Sequence, residues 1–92
     1  MYQFEWDENK NQQNIKKHGI DFNDAPQIFK NKLIVINDDR FDYKETRTIG
    51  FGNLFTRIVC VVFTKRNDII RIISLRKANN REVKFYENQI KN

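Results

Sequence analysis

The sequence predicts an α+β domain with an antiparallel sheet, and its elements follow in the order β-α-α-β-β-β-β-α. Three observations support this prediction. An alternating aromatic segment and two helical segments open the chain, four short β-branched or aromatic runs follow, and a capped amphipathic helix closes it. Because the chain has only 92 residues, we expect residues 1–92 to form a single domain with a small core.

The N-terminal third predicts one strand and two helices. Apolar and polar residues alternate in "YQFEW", as in a half-buried strand. Asp7 is a suitable N-cap for the polar helix that follows, and Gly19 can end that helix in the left-handed conformation. A second, short helix opens at Asp21 and runs through Phe29, although Pro26 leaves its first residue open.

The remaining segments predict four strands and a final helix. The strand runs are "LIVIN", "RTIGFGN", "RIVCVVFTK" and "IIRIISLR", separated by polar breaks such as "DDRFDYKE" and "KRND". The last two runs are apolar on both faces, which predicts central strands joined as a hairpin through "KRND". In the final helix Asn79 is the predicted cap and Glu82 completes a capping box, while Val83, Tyr86 and Ile90 form the predicted buried stripe.

Composition narrows the function classes. Seventeen Lys and Arg residues against twelve Asp and Glu give a net charge of +5, which suits a polyanion, an acidic protein partner or simply a soluble cationic domain. Cys60 is the only cysteine and is expected to be an inert buried thiol. No stretch reads as a leader or a membrane span, so we expect a cytoplasmic protein without a membrane partner.

The residue inventory is compatible with metal-free RNA cleavage. Hydrolytic triads, P-loops, HExxH and Cys-rich zinc patterns are absent, so no metal or cofactor is expected. The remaining chemistry consists of many cations with one histidine and a few tyrosines and serines. In RNA cleavage the 2′-hydroxyl attacks the adjacent phosphate, and the protein supplies cations for the developing charge and groups that move two protons.

The end of the last predicted strand is the candidate site for that chemistry. Simple alternation predicts that Ser74 and Arg76 share a face with Ile70 and Ile72, while Arg71 points to the opposite face. With the N-terminus of the final helix close by, a phosphate could bind at this corner. Arg71 and Arg76, which flank Ser74, are then the predicted catalytic residues that stabilise the developing charge. The alternative is a solvated rim in which Arg71 pairs with a carboxylate.

His18 and Tyr86 are the candidates for proton transfer. His18 lies on the inward face of the first helix and titrates near neutrality, but a histidine in the last turn of a helix can also have a purely structural role. Tyr86 belongs to the core by default, although its hydroxyl could emerge beside Arg76. Nearby cations are the candidates for RNA binding, namely Lys17, Lys77, Arg81 and Lys84.

Two motifs resemble the BrnT family of type II toxin–antitoxin toxins. They are "FEWDENKNQQNIKKHGIDF" and "RIISLRKANNREVKFYE", and the similarity runs from Phe4 to Glu87. The family pattern begins F-x-W-D-x-x-K, continues K-H-G-[IV]-x-F and closes R-I-I-S-x-R-x-A-x-x-x-E-x-x-x-Y-E. The chain departs from the usual pattern at Asn79 and Asn80, which thin the positive corner, and at Pro26.

The resemblance implies a RelE-like fold and a ribonuclease that blocks translation. It also implies neutralisation by a ribbon-helix-helix antitoxin, BrnA, through which the complex binds DNA only indirectly. Because such antitoxins dimerise, we expect two toxins per antitoxin dimer. Phe85 is the predicted antitoxin anchor if it is exposed beside Arg81, and a packing residue if it covers the sheet edge. The alternative function is a non-catalytic nucleic-acid-binding or protein-binding module.

Overall fold

The computed structural model describes residues 2–38 and 46–91, and most of the predicted break "DDRFDYKE" lies outside them. The predicted order of elements is confirmed. A short 3-10 turn, Phe22–Asp24, precedes the second helix. The elements are β1 (Gln3–Glu5), α1 (Glu8–His18), α2 (Ala25–Phe29), β2 (Ile34–Asp38), β3 (Arg47–Leu54), β4 (Arg57–Arg66), β5 (Ile69–Lys77) and α3 (Asn80–Lys91).

The five strands form one sheet in the order β1-β5-β4-β3-β2. The neighbouring pairs β2–β3, β3–β4 and β4–β5 are antiparallel, and β4 and β5 are interior strands as predicted. The predicted hairpin turn contains Asn67 at φ 55°, a conformation that asparagine tolerates better than most residues. The β1–β5 pair is parallel, which departs from the predicted antiparallel sheet. A parallel pair needs a long connection, and here the first two helices and β2 to β4 all lie between the two strands.

The first face of the sheet, covered by the segment from Ile20 to Leu33, carries the main core. Phe22 and Ile28 are fully buried there. Phe29 packs edge-to-face on Phe63 with ring centroids 5.1 Å apart, a favourable aromatic geometry. The buried members of this core are Ile20, Phe22, Ala25, Ile28, Leu54, Val59, Val61, Phe63, Ile70, Ile72 and Leu75.

The second face carries a smaller cluster that packs under α3. Phe51, Cys60 and Tyr86 are its buried members, and the burial of the thiol agrees with the prediction. Of the predicted stripe on α3, Tyr86 is buried and Val83 half-buried, but Ile90 is 43% exposed, so that part of the prediction is wrong. The second-face cluster ends before it reaches the last turn of the helix.

A β-bulge interrupts the pairing of β4 with β5. Val62 lies opposite Ser74, whereas the next residue, Phe63, lies opposite Ile72. Ile73 is therefore an extra residue in β5. A bulge of this kind shifts the alternation of side chains along the strand that contains it.

The bulge corrects one prediction about the site. Ile70 and Ile72 point into the first-face core, as expected. Ser74 and Arg76 lie opposite second-face residues of β4, so they share the second face with Arg71 and not the first face with the isoleucines. Simple alternation failed here because it assumes an uninterrupted strand.

The helix ends follow the sequence closely. An Asp7 oxygen accepts from the Lys10 N–H at 3.2 Å, and Gly19 has φ 72° just past α1. Asn79 and Glu82 bond each other's backbone N–H reciprocally at 2.8 and 2.9 Å, which is the predicted capping box. In the part of the chain that the structure describes, no helix is both long and apolar enough to cross a membrane.

Candidate active site

One asparagine of α1 binds the part of the β5 edge that β1 leaves unpaired. β1 pairs with β5 only as far as Arg71, and beyond it α1 lies alongside the strand. The Asn14 amide donates to the Leu75 carbonyl at 2.8 Å and accepts from the Leu75 N–H at 3.2 Å. The same amide donates to the Ile20 carbonyl at 2.9 Å. The buried asparagine thus satisfies backbone groups that a neighbouring strand would otherwise pair.

A second buried asparagine fixes the chain beyond α1. Asn11 donates to an Asp21 carboxylate oxygen at 2.9 Å and accepts from the Phe22 N–H at 2.8 Å. The carboxylate also accepts from Asn23, and these bonds, the Asn23 backbone N–H foremost, lower the pKa of Asp21. Because both ends of this connection are held, the last turn of α1 with His18 has a defined position against β5.

Between α1, β5 and the start of β3 lies an open cavity of about 340 Å³, called here the His18 cavity. Three of the described side chains that line it are cationic, and no described carboxylate lines it. Such a concentration of positive charge favours an anionic ligand. The lining residues are Lys10, Gln13, Asn14, Lys17, His18, Arg47, Ile73 and Ser74.

His18 is half-buried at this cavity and has a lowered pKa. Burial is the main cause, and the positive charges of Lys17 and Arg76 add to it. Each of these effects disfavours the imidazolium form. The imidazole is therefore neutral near pH 7, the state in which a histidine can accept a proton.

Arg76 forms a two-pronged ion pair at the corner between β5 and α3. Its two terminal guanidinium nitrogens donate to the two Glu82 oxygens at 2.8 Å each. The hydrogen bond from Arg76 is the largest cause of the lowered pKa of Glu82, followed among the lowering causes by the Asn79 N–H. Arg76 does not line the His18 cavity but is close enough to lower the pKa of His18.

Arg71 lies at a different cavity on the second face. Its Nη1 atom donates to Glu5 Oε2 at 2.9 Å, so the predicted alternative of an ion pair is what the fold contains. This smaller cavity, called here the Arg71 cavity, has a volume of about 140 Å³. Its lining residues are Glu5, Thr64, Arg66, Ile69 and Arg71.

The Tyr86 hydroxyl points away from the corner. It donates to the Lys32 carbonyl at 3.2 Å, in the loop before β2 at the far edge of the sheet. The ring is only 5% exposed and packs with Phe51 and Cys60. These contacts give Tyr86 a packing role and do not bring its hydroxyl to His18.

The structure separates the predicted RNA-binding residues. Lys17 lines the His18 cavity, whereas the other three are exposed at the end of β5 or on α3 and line neither cavity, namely Lys77, Arg81 and Lys84. Sequence reasoning missed Lys10 and Arg47 as cavity residues. Lys10 lies four residues before Asn14 and seven before Lys17, a helical spacing that could have revealed it. Arg47 is brought in by the sheet from far along the chain, so no local pattern could have shown its position.

Phe85 combines the two alternatives considered for it. Its ring packs edge-to-face against Phe51 with centroids 5.7 Å apart, yet the residue remains 36% exposed. A half-packed aromatic that keeps an exposed edge is held in place and is still available to a partner.

The fold and this cavity define a small cationic α+β domain in which positively charged side chains surround a neutral histidine. The comparison with protein families is more specific. The family model described as the ribonuclease toxin BrnT of type II toxin–antitoxin systems matches residues 6–82. The chain therefore belongs to the BrnT family and is a type II ribonuclease toxin, with RNA as substrate and an antitoxin as partner. The match favours the enzyme over a non-catalytic binding module. A search of curated proteins found no match.

Proposed function

We propose that the toxin cleaves RNA without a metal ion, by attack of the 2′-hydroxyl on the adjacent phosphate, and that the His18 cavity holds the scissile phosphate. The observation that carries this proposal is a neutral histidine facing a cavity whose charged lining is cationic. A neutral imidazole supplies the base that the 2′-hydroxyl requires, and the cations match the charge that builds up on the phosphorane.

The lining residues divide into simple roles. His18 takes the 2′-hydroxyl proton, the oxygen–phosphorus bond forms, and the bond to the 5′-oxygen breaks. Lys10, Lys17 and Arg47 contact the phosphate oxygens, and one of the two lysine ammonium groups donates a proton to the departing 5′-oxygen. Ser74 can donate a hydrogen bond from the floor of the same cavity.

The two arginines predicted as charge stabilisers take other places in this scheme. Arg76 acts indirectly, because its charge favours the neutral form of His18. Glu82 holds the Arg76 side chain in position. Arg71 lies outside the His18 cavity and is assigned to substrate binding below. Tyr86 is left to packing, because its hydroxyl already donates to a backbone carbonyl.

The decisive variant is His18→Gln. We expect it to slow cleavage of a short RNA by about 10²–10⁴-fold, the usual cost of losing a general base, with the melting temperature little changed. The parent protein should yield a 2′,3′-cyclic phosphate and a 5′-hydroxyl, equally well with and without EDTA. His18→Gln that cleaves as fast as the parent would remove the histidine from the mechanism, and loss of parental activity in EDTA would overturn metal independence.

We further propose that inhibition of translation is relieved by a BrnA-like ribbon-helix-helix antitoxin, with two toxins on one antitoxin dimer and DNA bound only by the antitoxin. Phe85 is the proposed anchor on the toxin, because it keeps an exposed ring edge beside the exposed cations Arg81 and Lys84. An aromatic anchor with a charged rim suits a partner that brings apolar and acidic side chains together.

Ile90 provides a matched control for this surface, since it is an exposed apolar residue of the same helix. We expect Phe85→Glu to weaken the complex with the adjacent gene product by at least about 30-fold, as for an interface hot spot, and Ile90→Glu to change it far less. Titration by calorimetry measures both. Equal affinities for the parent and Phe85→Glu would place the antitoxin elsewhere.

A further inference from the structure

The Arg71 cavity has no part in the cleavage chemistry proposed for the His18 cavity. It lies on the second face at the β4–β5 hairpin end of the sheet, and Thr64, which is 5% exposed, lines it. Among the described residues that line it, Arg66 and Arg71 contribute two guanidinium groups and Glu5 contributes a carboxylate. Guanidinium groups are well suited to phosphate because their N–H donors match pairs of phosphate oxygens.

The bulge at Ile73 places the two cavities on the same side of the sheet. In a regular strand, residues three apart such as Arg71 and Ser74 would point to opposite faces. The extra residue brings both side chains to the second face, where Arg71 lines one cavity and Ser74 the other. Because Arg71 and Ser74 lie opposite Thr64 and Val62, which are two residues apart on β4, roughly 7 Å of strand separates them. This distance is close to the spacing of successive phosphates in an extended single strand.

Glu5 does not prevent anion binding at this position. It holds Arg71 through one contact of 2.9 Å, and both side chains are about half exposed, at 45% and 49%. An exposed ion pair of this kind contributes only about 0–1 kcal/mol, so a phosphate can replace or share it at little cost.

We infer that the Arg71 cavity is a second phosphate-binding subsite, in which Arg66 and Arg71 bind a backbone phosphate next to the one in the His18 cavity. The inference rests on the proposed function, because it assigns a path to the RNA strand: from the cavity at α1, along β5, to the β4–β5 hairpin end. It adds substrate-binding residues that the cleavage chemistry does not require.

Arg66→Gln tests the subsite, and Arg57→Gln is its control. Arg57 begins the same strand, about 30 Å away, and lies opposite Leu54 of the first-face core, so its loss removes the same charge on the other face. The probe is a short RNA oligonucleotide with 2′-O-methyl groups, which binds but cannot be cleaved, and affinity is measured by fluorescence anisotropy over a range of salt concentrations.

We expect Arg66→Gln to weaken binding by about tenfold and to reduce the salt slope by about 0.7, the value for one phosphate contact to a single strand. Arg57→Gln should leave both quantities close to the parent's. A methylated dinucleotide, which carries one phosphate, should bind the parent and Arg66→Gln alike. If Arg66→Gln and Arg57→Gln have the same affinity and slope for the longer probe, the subsite does not exist.

The outcome is separable from that of the cleavage proposal. Because the probe is not cleaved, a selective effect of Arg66→Gln supports the subsite even if His18→Gln retains full ribonuclease activity. Conversely, a requirement for His18 together with no selective effect at Arg66 would keep the cleavage proposal and overturn the subsite.

Discussion

The two faces of the sheet are built from different chemistry although the same strands supply both. On the first face, β5 contributes Ile70, Ile72 and Leu75 to a core of apolar side chains. On the second face the same strand carries Arg71 and, beyond the bulge, Ser74 and Arg76. The apolar core and the cavity-lining side chains therefore lie on opposite faces of one strand, so substitutions on the two faces should have separable effects.

The largest expected difference is between two phenylalanines, one on each side of the sheet. Phe22→Ala should lower the free energy of unfolding by about 3–5 kcal/mol, because Phe22 is fully buried on the first face. Phe85→Ala should cost only about 1 kcal/mol, since its ring has one aromatic partner and an exposed edge. Urea titration of both variants measures the difference. Similar losses would mean that the second face contributes to stability as much as the first.

A smaller effect on stability should come from the ion pair between Arg76 of β5 and Glu82 of α3. Glu82→Gln removes the charge that pairs with Arg76 and should cost about 1 kcal/mol near neutral pH, because the pair is partly exposed. The pKa of Glu82 is lowered in the folded protein, so this stability is fully present above its ordinary value of 4.5 and is lost as the pH falls through the lowered pKa.

Thermal unfolding at a series of pH values checks this assignment. The parent and Glu82→Gln should converge in acid, where both carry an uncharged side chain at this position. A stability deficit of Glu82→Gln that stayed constant into strong acid would show that the loss comes from packing or capping geometry and not from the charge of Glu82.

The smallest expected effect is a shift in the pH midpoint of activity, which depends on the charges around His18. Activity should fall in acid with a midpoint below 6.5, the ordinary pKa of histidine, because burial and nearby cations favour the neutral ring. Lys17→Gln removes one of those cations, so the midpoint of kcat/KM should move to higher pH. Lys16→Gln, an exposed neighbour that does not line the cavity, should leave the midpoint unchanged. An unmoved midpoint in Lys17→Gln would indicate that another group controls the acid limb.

Features encoded by neighbouring residues were predictable from the sequence. The Asp7 cap, the Gly19 helix end and the capping box of Asn79 and Glu82 depend on residues within one turn of each other. The central position of β4 and β5 also followed from local composition, since both strands are apolar on both faces. His18 as a cavity residue was within reach for the same reason, because helical spacing defines its face.

Features that depend on the assembled sheet were not predictable. The partner of Arg71 is Glu5, whose strand lies beside β5 only because β1 joins the sheet in parallel. The Tyr86 hydroxyl donates to the carbonyl of Lys32, 54 residues earlier in the chain, because α3 packs over the strands beside that loop. The bulge at Ile73 placed Ser74 and Arg76 on the face opposite to the predicted one. An isoleucine at this position gives no sign of a bulge in the sequence.

The amide of Asn14 has a consequence for hydrogen exchange. Leu75 has a helix and not a strand on the side where its N–H points, yet that N–H is bound by the buried Asn14 oxygen. The Leu75 amide should therefore be protected from exchange as long as α1 stays docked on β5. Its exchange would then report the detachment of α1 from β5, the opening event that would dismantle the His18 cavity while leaving the first-face core folded.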